Sequence, residues 1–216
     1  MNLDKYYGQR KLVADTMTRL YKTRLTTTSG GNVSCRIDNE LFCISPSSLD
    51  KSKLSPELIA IVSMEGENLT PHLPLSIESE MHRLILAENP EINAVVHAHP
   101  VFSTLYACAG EPMDTSLTTE SWFLLGRPVM SGYHKMGTYE LARDVADCAK
   151  RGRIVLLKNH GVLATGKDML SAFDAIEVLE NAAKITAFST LLRNAGVKTD
   201  ALSEEAMKEM RPDLFE

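Results

Sequence analysis

No run among the 216 residues approaches the roughly 20 consecutive apolar positions of a membrane-spanning helix, so no membrane association is expected. The opening MNLDKYYGQRKLV lacks the apolar core of a signal peptide, and a cytoplasmic location is expected. Basic clusters are missing too. Net charge is −5, and nothing in the sequence points to nucleic-acid binding. The four cysteines, Cys35, Cys43, Cys108 and Cys148, form no CxxC pair and read as reduced, mostly buried thiols. Cys35 and Cys43 fall on two strands expected to pair, a proximity that does not by itself make a disulfide. There is no internal repeat, low-complexity tract or linker. A chain of this length then suits one α/β domain over 1–216. Neither a Walker nor a Rossmann fingerprint is present.

What remains is ordinary for a soluble globular protein, with 44% hydrophobic and 24% charged residues. Apolar spacing predicts a helix capped by Asp4 and running to about Lys22. TTTSGGNVS, Thr26 to Ser34, suits a turn that exposes backbone N–H groups. Val33–Ile37 and Leu41–Ser45 read as a hairpin, and Leu58–Met64 as a third strand. Ser76 is the expected N-cap of a helix from Ile77 to about Ala87. Further along come a strand Ala94–His99, a helix Val101–Ala109, strands Ile154–Leu157 and Val162–Thr165, a long helix Met169–Asn194 capped by Asp168, and a short helix Glu204–Met210. Strands and helices mix without a strict βαβ period, which favours a partly antiparallel sheet covered by helices.

The chemistry concentrates in NAVVHAHPVFST, Asn93–Thr104. Residues i and i+2 of a strand share a face, so His97 and His99 can grip one metal ion. A lone histidine on an apolar strand is ordinarily a core residue; the HAH spacing changes that reading. Three protein ligands and an open position define a catalytic zinc site, and His160, at the end of strand Ile154–Leu157 and beside Gly161, is the natural third ligand. Glu78, in the first turn of its helix, is either a charge complementing the helix dipole or a general base near the metal. His82, four residues on, reads as a structural helix histidine. Ser29-Gly30-Gly31-Asn32, Ser45-Pro46-Ser47-Ser48 and Leu75-Ser76 offer backbone N–H and hydroxyl donors that together can cradle a phosphate, although each alone is an ordinary turn or cap.

The ordered set GGNVS (Gly30–Ser34), ISPSS (Ile44–Ser48), LSIESEMH (Leu75–His82), AVVHAHP (Ala94–Pro100) and KNHGVLATG (Lys158–Gly166) resembles the class II aldolase/adducin-like family, nearest to its L-fuculose-1-phosphate aldolase type. The resemblance covers about residues 8 to 195. It implies a three-layer α/β/α fold with a central, largely antiparallel sheet, and a homotetramer with the active site at a subunit interface. It implies zinc (or Mn²⁺, Co²⁺ or Fe²⁺) on His97, His99 and His160, a catalytic Glu78, and a phosphate site at Ser29, Asn32, Ser47, Ser48 and Ser76. The implied reaction is cleavage of a ketose 1-phosphate into dihydroxyacetone phosphate and an aldehyde, through an enediolate whose charge the zinc takes up. Decarboxylation of a 3-oxo sugar-acid phosphate is the alternative on the same residues. A dehydratase, an epimerase or a non-catalytic adducin-like scaffold stands further off; the scaffold lacks the metal histidines. Three departures matter. Ile77 stands where the family has a second phosphate-binding serine. Thr118 falls near the place of a tyrosine that a neighbouring subunit contributes. In Thr118-Thr119-Glu120-Ser121-Trp122, Trp122 takes the place of an epimerase aspartate. Tyr133 and Glu120 are the candidates for a second proton donor.

Overall fold

The computed structural model describes residues 3–111 and 113–215. Seven strands form one sheet in the order β3-β2-β1-β4-β7-β6-β5. They are β1 (Asn32–Arg36), β2 (Leu41–Ile44), β3 (Ala60–Ser63), β4 (Ala94–Ala98), β5 (Val129–Ser131), β6 (Ile154–Leu157) and β7 (Gly161–Gly166). Every neighbouring pair is antiparallel except β5 with β6.

Side chains alternate between the two faces of each strand, and two separate cores result. On one face Val33, Cys35, Val96, Ala98, Ile154, Leu156, Val162 and Ala164 pack under α1 (Tyr7–Lys22), α3 (Val101–Ala109) and α6 (Met169–Asn194). On the other, Phe42, Val62, Val95, Val155, Leu157 and Leu163 pack under α2 (Ser79–Glu88) and α5 (Tyr139–Ala149). This is the expected three-layer α/β/α arrangement. None of the described helices is long and apolar enough to cross a membrane.

The helices α3, α6 and α7 (Glu204–Met210) have the expected bounds. Other expectations need correction. Helix α1 follows a 3-10 turn, Leu3–Tyr6, so its N-cap is Tyr6; the side chain of Asp4, expected as the cap, lies outside the described residues. Helix α2 starts two residues later than expected, with Glu78 rather than Ser76 at its N-cap; the Ser76 hydroxyl accepts from the Glu78 N–H and also from the Asn32 amide on β1. The sequence reading places no element between Gly110 and Arg153, where the structure has α4 (Thr119–Leu125), β5 and α5. Two of these are short, and the buried stripe of α5 is half alanine, which weakens its apolar signal.

Cys35 and Cys43 are cross-strand partners with sulfurs 3.4 Å apart, and both are free thiols.

Candidate active site

Strand β4 presents His97 on the face it shares with Val95, toward the α2–α5 layer. Pairing of β4 with β7 sets His97 opposite Leu163 and Ala98 opposite Val162. The hairpin from β6 to β7 closes through Lys158-Asn159-His160, with Asn159 in the left-handed region (φ 58) and the His160 N–H donating to Leu157 O at 3.0 Å. That turn carries His160 to the end of β4. The three rings gather there, with centroids 4.8 to 5.4 Å apart.

Glycine makes the gathering possible. A Cβ on Gly161 would lie 2.4 Å from Cδ2 of His99, and one on Gly30 would lie 2.7 Å from its Nδ1. The His99 ring therefore sits between two places where no side chain fits.

The donor atoms of His97, His99 and His160 all lie within 4.8 Å of one another. His97 spends Nδ1 on Val162 O, 2.9 Å away, which leaves the lone pair of Nε2 toward the cluster. Nε2 of His99 approaches it at 3.1 Å. Burial, with the neighbouring rings, holds His99 neutral with a pKa of about 3, and burial pushes His160 down as well.

Glu78 enters from the N-cap of α2, buried, with Oε2 3.4 Å from Nε2 of His97 and Oε1 3.2 Å from Nε2 of His160. Burial pushes its carboxyl up, but the His97 and His160 rings and the Asn32 amide outweigh that, and the net direction is below the usual glutamate value. It is therefore an ionised carboxylate. Among the described residues its Oε1 finds no hydrogen-bond partner, and neither does Nδ1 of His160. A buried carboxylate oxygen without a partner is costly. Three imidazole nitrogens around one carboxylate oxygen are a donor set for a divalent cation, and the residues present fit one.

A chain of hydrogen bonds orients Glu78. His82 is buried and held neutral at about 3 by that burial. Its Nε2 contacts Oδ1 of Asn32, which can only accept, so Nε2 carries the proton and Nδ1 accepts from the Ser34 hydroxyl at 2.6 Å. Asn32 in turn donates to Glu78 Oε2 at 2.8 Å and to Ser76 Oγ at 3.0 Å. The structural reading of His82 agrees with this geometry. Both amide protons of Asn32 are spent here, so of the expected phosphate-binding groups this amide is already engaged.

A cavity of about 280 Å³ opens beside the histidines, lined among others by Ser29, Asn32, Ser47, Ser76, Glu78, His99 and His160. Ser76 accepts from Asn32 and, at 3.3 Å, from the Glu78 N–H, and its own proton remains available. Ser48 is exposed beside Ser47 and does not line the cavity. Tyr133 also lies outside the lining, 70% exposed on the loop after β5. Thr118 caps α4, and Glu120 follows in its first turn. Trp122 is buried and donates from Nε1 to Met207 O at 2.9 Å, so it fastens the C-terminal helix. His134 pairs with Asp144 at 3.0 Å, away from the cluster.

Sequence reasoning missed Lys51, which lines the same cavity yet is only 1% exposed. Its setting in a polar loop after Asp50 resembles that of any solvated lysine. Burial lowers its pKa to about 8, against a smaller upward pull from Glu78.

Residues 11–187 match the family model described as the class II aldolase and adducin N-terminal domain. The chain is 30% identical over 208 residues to a 3-oxo-tetronate 4-phosphate decarboxylase of Haemophilus influenzae, covering 94% of this chain and 96% of that one. It is 34% identical over 166 residues to an L-fuculose phosphate aldolase of Methanococcus maripaludis, covering 77% and 89%. A solved structure of an L-fuculose 1-phosphate aldolase superposes with a TM-score of 0.83 at 28% identity, over 97% of each chain.

Proposed function

Because the chain belongs to the class II aldolase and adducin N-terminal domain family, we propose that it is a metal-dependent carbon–carbon lyase acting on a phosphorylated sugar or sugar acid. The observation that carries this reading is the buried oxygen of Glu78, without a hydrogen bond among the described residues, facing three clustered imidazoles beside a cavity that serine hydroxyls help to line. A non-catalytic scaffold would have no use for that set. His97, His99 and His160 would hold the ion; zinc is the first expectation, with Mn²⁺, Co²⁺ or Fe²⁺ as alternatives. Such an ion supplies Lewis-acid stabilisation of negative charge on oxygens next to the bond that breaks.

The chain's own residues do the rest. Ser29, Ser47 and Ser76 would hold the phosphate and so keep the reacting carbons in register. Glu78 would carry a proton to or from the carbon that loses its bond, with Asn32 and His82 keeping its carboxylate aimed. The first reaction proposed is retro-aldol cleavage of a ketose 1-phosphate to dihydroxyacetone phosphate and an aldehyde. An indole at Trp122, buried and donating to Met207 O, offers no acid–base group where an epimerase would need a carboxylate.

Decarboxylation of a 3-oxo sugar-acid phosphate is the second reading. It is supported by the near full-length similarity to a decarboxylase and by the cavity itself. Among the described lining residues, Glu78 is the one carboxylate. Loss of CO₂ requires a single protonation, whereas aldol cleavage also requires a base at the far hydroxyl. A neighbouring subunit would supply that base, and a homotetramer is part of this proposal.

The test is incubation of metal-loaded protein with a panel of ketose 1-phosphates and 3-oxo acid phosphates, followed by assays for dihydroxyacetone phosphate and for CO₂. Dihydroxyacetone phosphate supports the first reading and CO₂ the second; neither product across the panel would sink the lyase proposal.

A further inference from the structure

A lysine buried to 1% exposure must satisfy its ammonium group or pay for stranding it. Among the described residues the Lys51 ammonium has one hydrogen-bond partner, the carbonyl oxygen of Pro46. Among the described residues no carboxylate lies within ion-pair distance of it. An ammonium carries three N–H donors, so two remain for whatever occupies the cavity that Lys51 lines with Ser29, Ser47 and Ser76. The residue is also held in place. Its own N–H donates to Thr28 O at 3.0 Å, which ties it to the loop before Ser29. Asp50 caps the short turn Lys51–Lys53 by accepting from the Ser52 N–H at 3.0 Å. The side chain is thus ordered before any ligand arrives.

From this placement, the geometry points to Lys51 as the residue that reads charge at the phosphate end of the cavity and makes the site select a phosphoryl group over a neutral head. The assignment rests on the reading of this cavity as a phosphate site. Serine hydroxyls donate to neutral and anionic oxygens alike, whereas an ammonium with unspent donors adds a charge–charge attraction that only an anion returns. Lys51 also offsets Ile77, which lines the same cavity and brings no side-chain donor. The lowered pKa of about 8 leaves it cationic at neutral pH and available to be neutralised by a bound anion.

The experiment titrates inorganic phosphate into the metal-loaded full chain by calorimetry, wild type against Lys51→Met and Lys51→Gln. Methionine keeps the unbranched stem and removes a buried charge, so the unliganded melting temperature should hold or rise. The phosphate dissociation constant should rise at least about tenfold in both variants. The phosphate-induced rise in melting temperature should disappear, with metal content unchanged. Once a substrate is in hand, KM should rise more than kcat falls. Undiminished phosphate affinity in a folded, metal-replete variant would put the anion on the metal or the serines alone and overturn the assignment. A wild type that binds no phosphate would overturn it as well. Loss of phosphate affinity in the variants, from a protein that turns over nothing in the panel, would uphold Lys51 and fail the lyase reading, so the two stand or fall separately.

Discussion

At the scale of single residues, the proposed roles of His160 and Glu78 separate cleanly. His160→Ala should cost the metal and the activity together, since one of three ligands goes. Glu78→Gln should keep the metal, because the histidines remain, and lose on the order of 10²- to 10⁴-fold in turnover, the usual contribution of a positioned acid–base group. Elemental analysis beside kinetics checks both; full metal occupancy in His160→Ala would remove it from the ligand set. Gly161 makes a sharper case. Its Cβ position is 2.4 Å from the His99 ring and 2.7 Å from Ala98 O, so neither a ring rotation alone nor a small backbone shift accommodates alanine. Gly161→Ala should therefore weaken metal binding at least tenfold, by about 1.4 kcal/mol or more, while circular dichroism stays near wild type. Retained metal affinity would show that His99 can move aside freely.

Elements explain where those residues point. Strand β4 delivers His97, the β6–β7 turn delivers His160, and the start of α2 delivers Glu78, so the site needs the sheet and one helix in fixed relation. The last residue of α2, Glu88, ties that helix to α5 by meeting Arg143 within it and Lys150 at its C-cap. Those contacts hold the Glu88 carboxyl down at about 2, chiefly through the hydrogen bond from Arg143 and then that from Lys150. Opposite them, α6 covers the other face, and its start is secured by a reciprocal cap. Ser171 N–H donates to Asp168 at 2.7 Å, and the Ser171 hydroxyl lies 3.3 Å from the Asp168 N–H. Asp168→Ala should lower the unfolding free energy by about 1 kcal/mol. A urea titration should show a lower midpoint at constant slope, and an unchanged midpoint would mean that tertiary packing alone holds this helix start.

For the whole molecule, acid is the informative variable. His82 and His99 are held neutral in the folded chain at about 3 and titrate near 6.5 when unfolded. Between those values the unfolded state binds the extra protons, so stability falls as pH drops from about 6.5 toward 3 and is fully present above 6.5. The loss should be on the order of 1 kcal/mol per pH unit for each buried histidine. Urea midpoints from pH 7 to 5 should fall less steeply in His82→Gln, and an identical slope would exonerate His82. Assembly is the other prediction at this scale. Ile77, Tyr133, Met136 and Tyr139 are each more than half exposed, and Met136 lines the cavity beside Ile77. Exposed large apolar side chains, two of them at the cavity, suit burial by another copy. Light scattering should give four times the 23.9 kDa chain mass. A monomer at micromolar concentration would sink the homotetramer proposal and, with it, the neighbour's base.

What the sequence determined by itself was whatever repeats with a short period or occupies a short motif. Short continuous apolar runs marked β4, β6 and β7, the long apolar pattern marked α6 to its last residue, and the HAH spacing put two imidazoles on one face, because strand and helix periods are local properties of the backbone. Small elements between Gly110 and Arg153 were lost because three to seven residues, or a stripe of alanines, carry too little periodicity. Only the tertiary structure decided how partners are used. Ser76 was legible as a cap, yet its hydroxyl is shared between the Glu78 N–H and Asn32; Asn32 was legible as a phosphate ligand, yet its amide holds Glu78. Lys51 was not legible at all, since burial is a property of the surrounding fold and an ammonium group reads the same in a solvated loop as in a cavity wall.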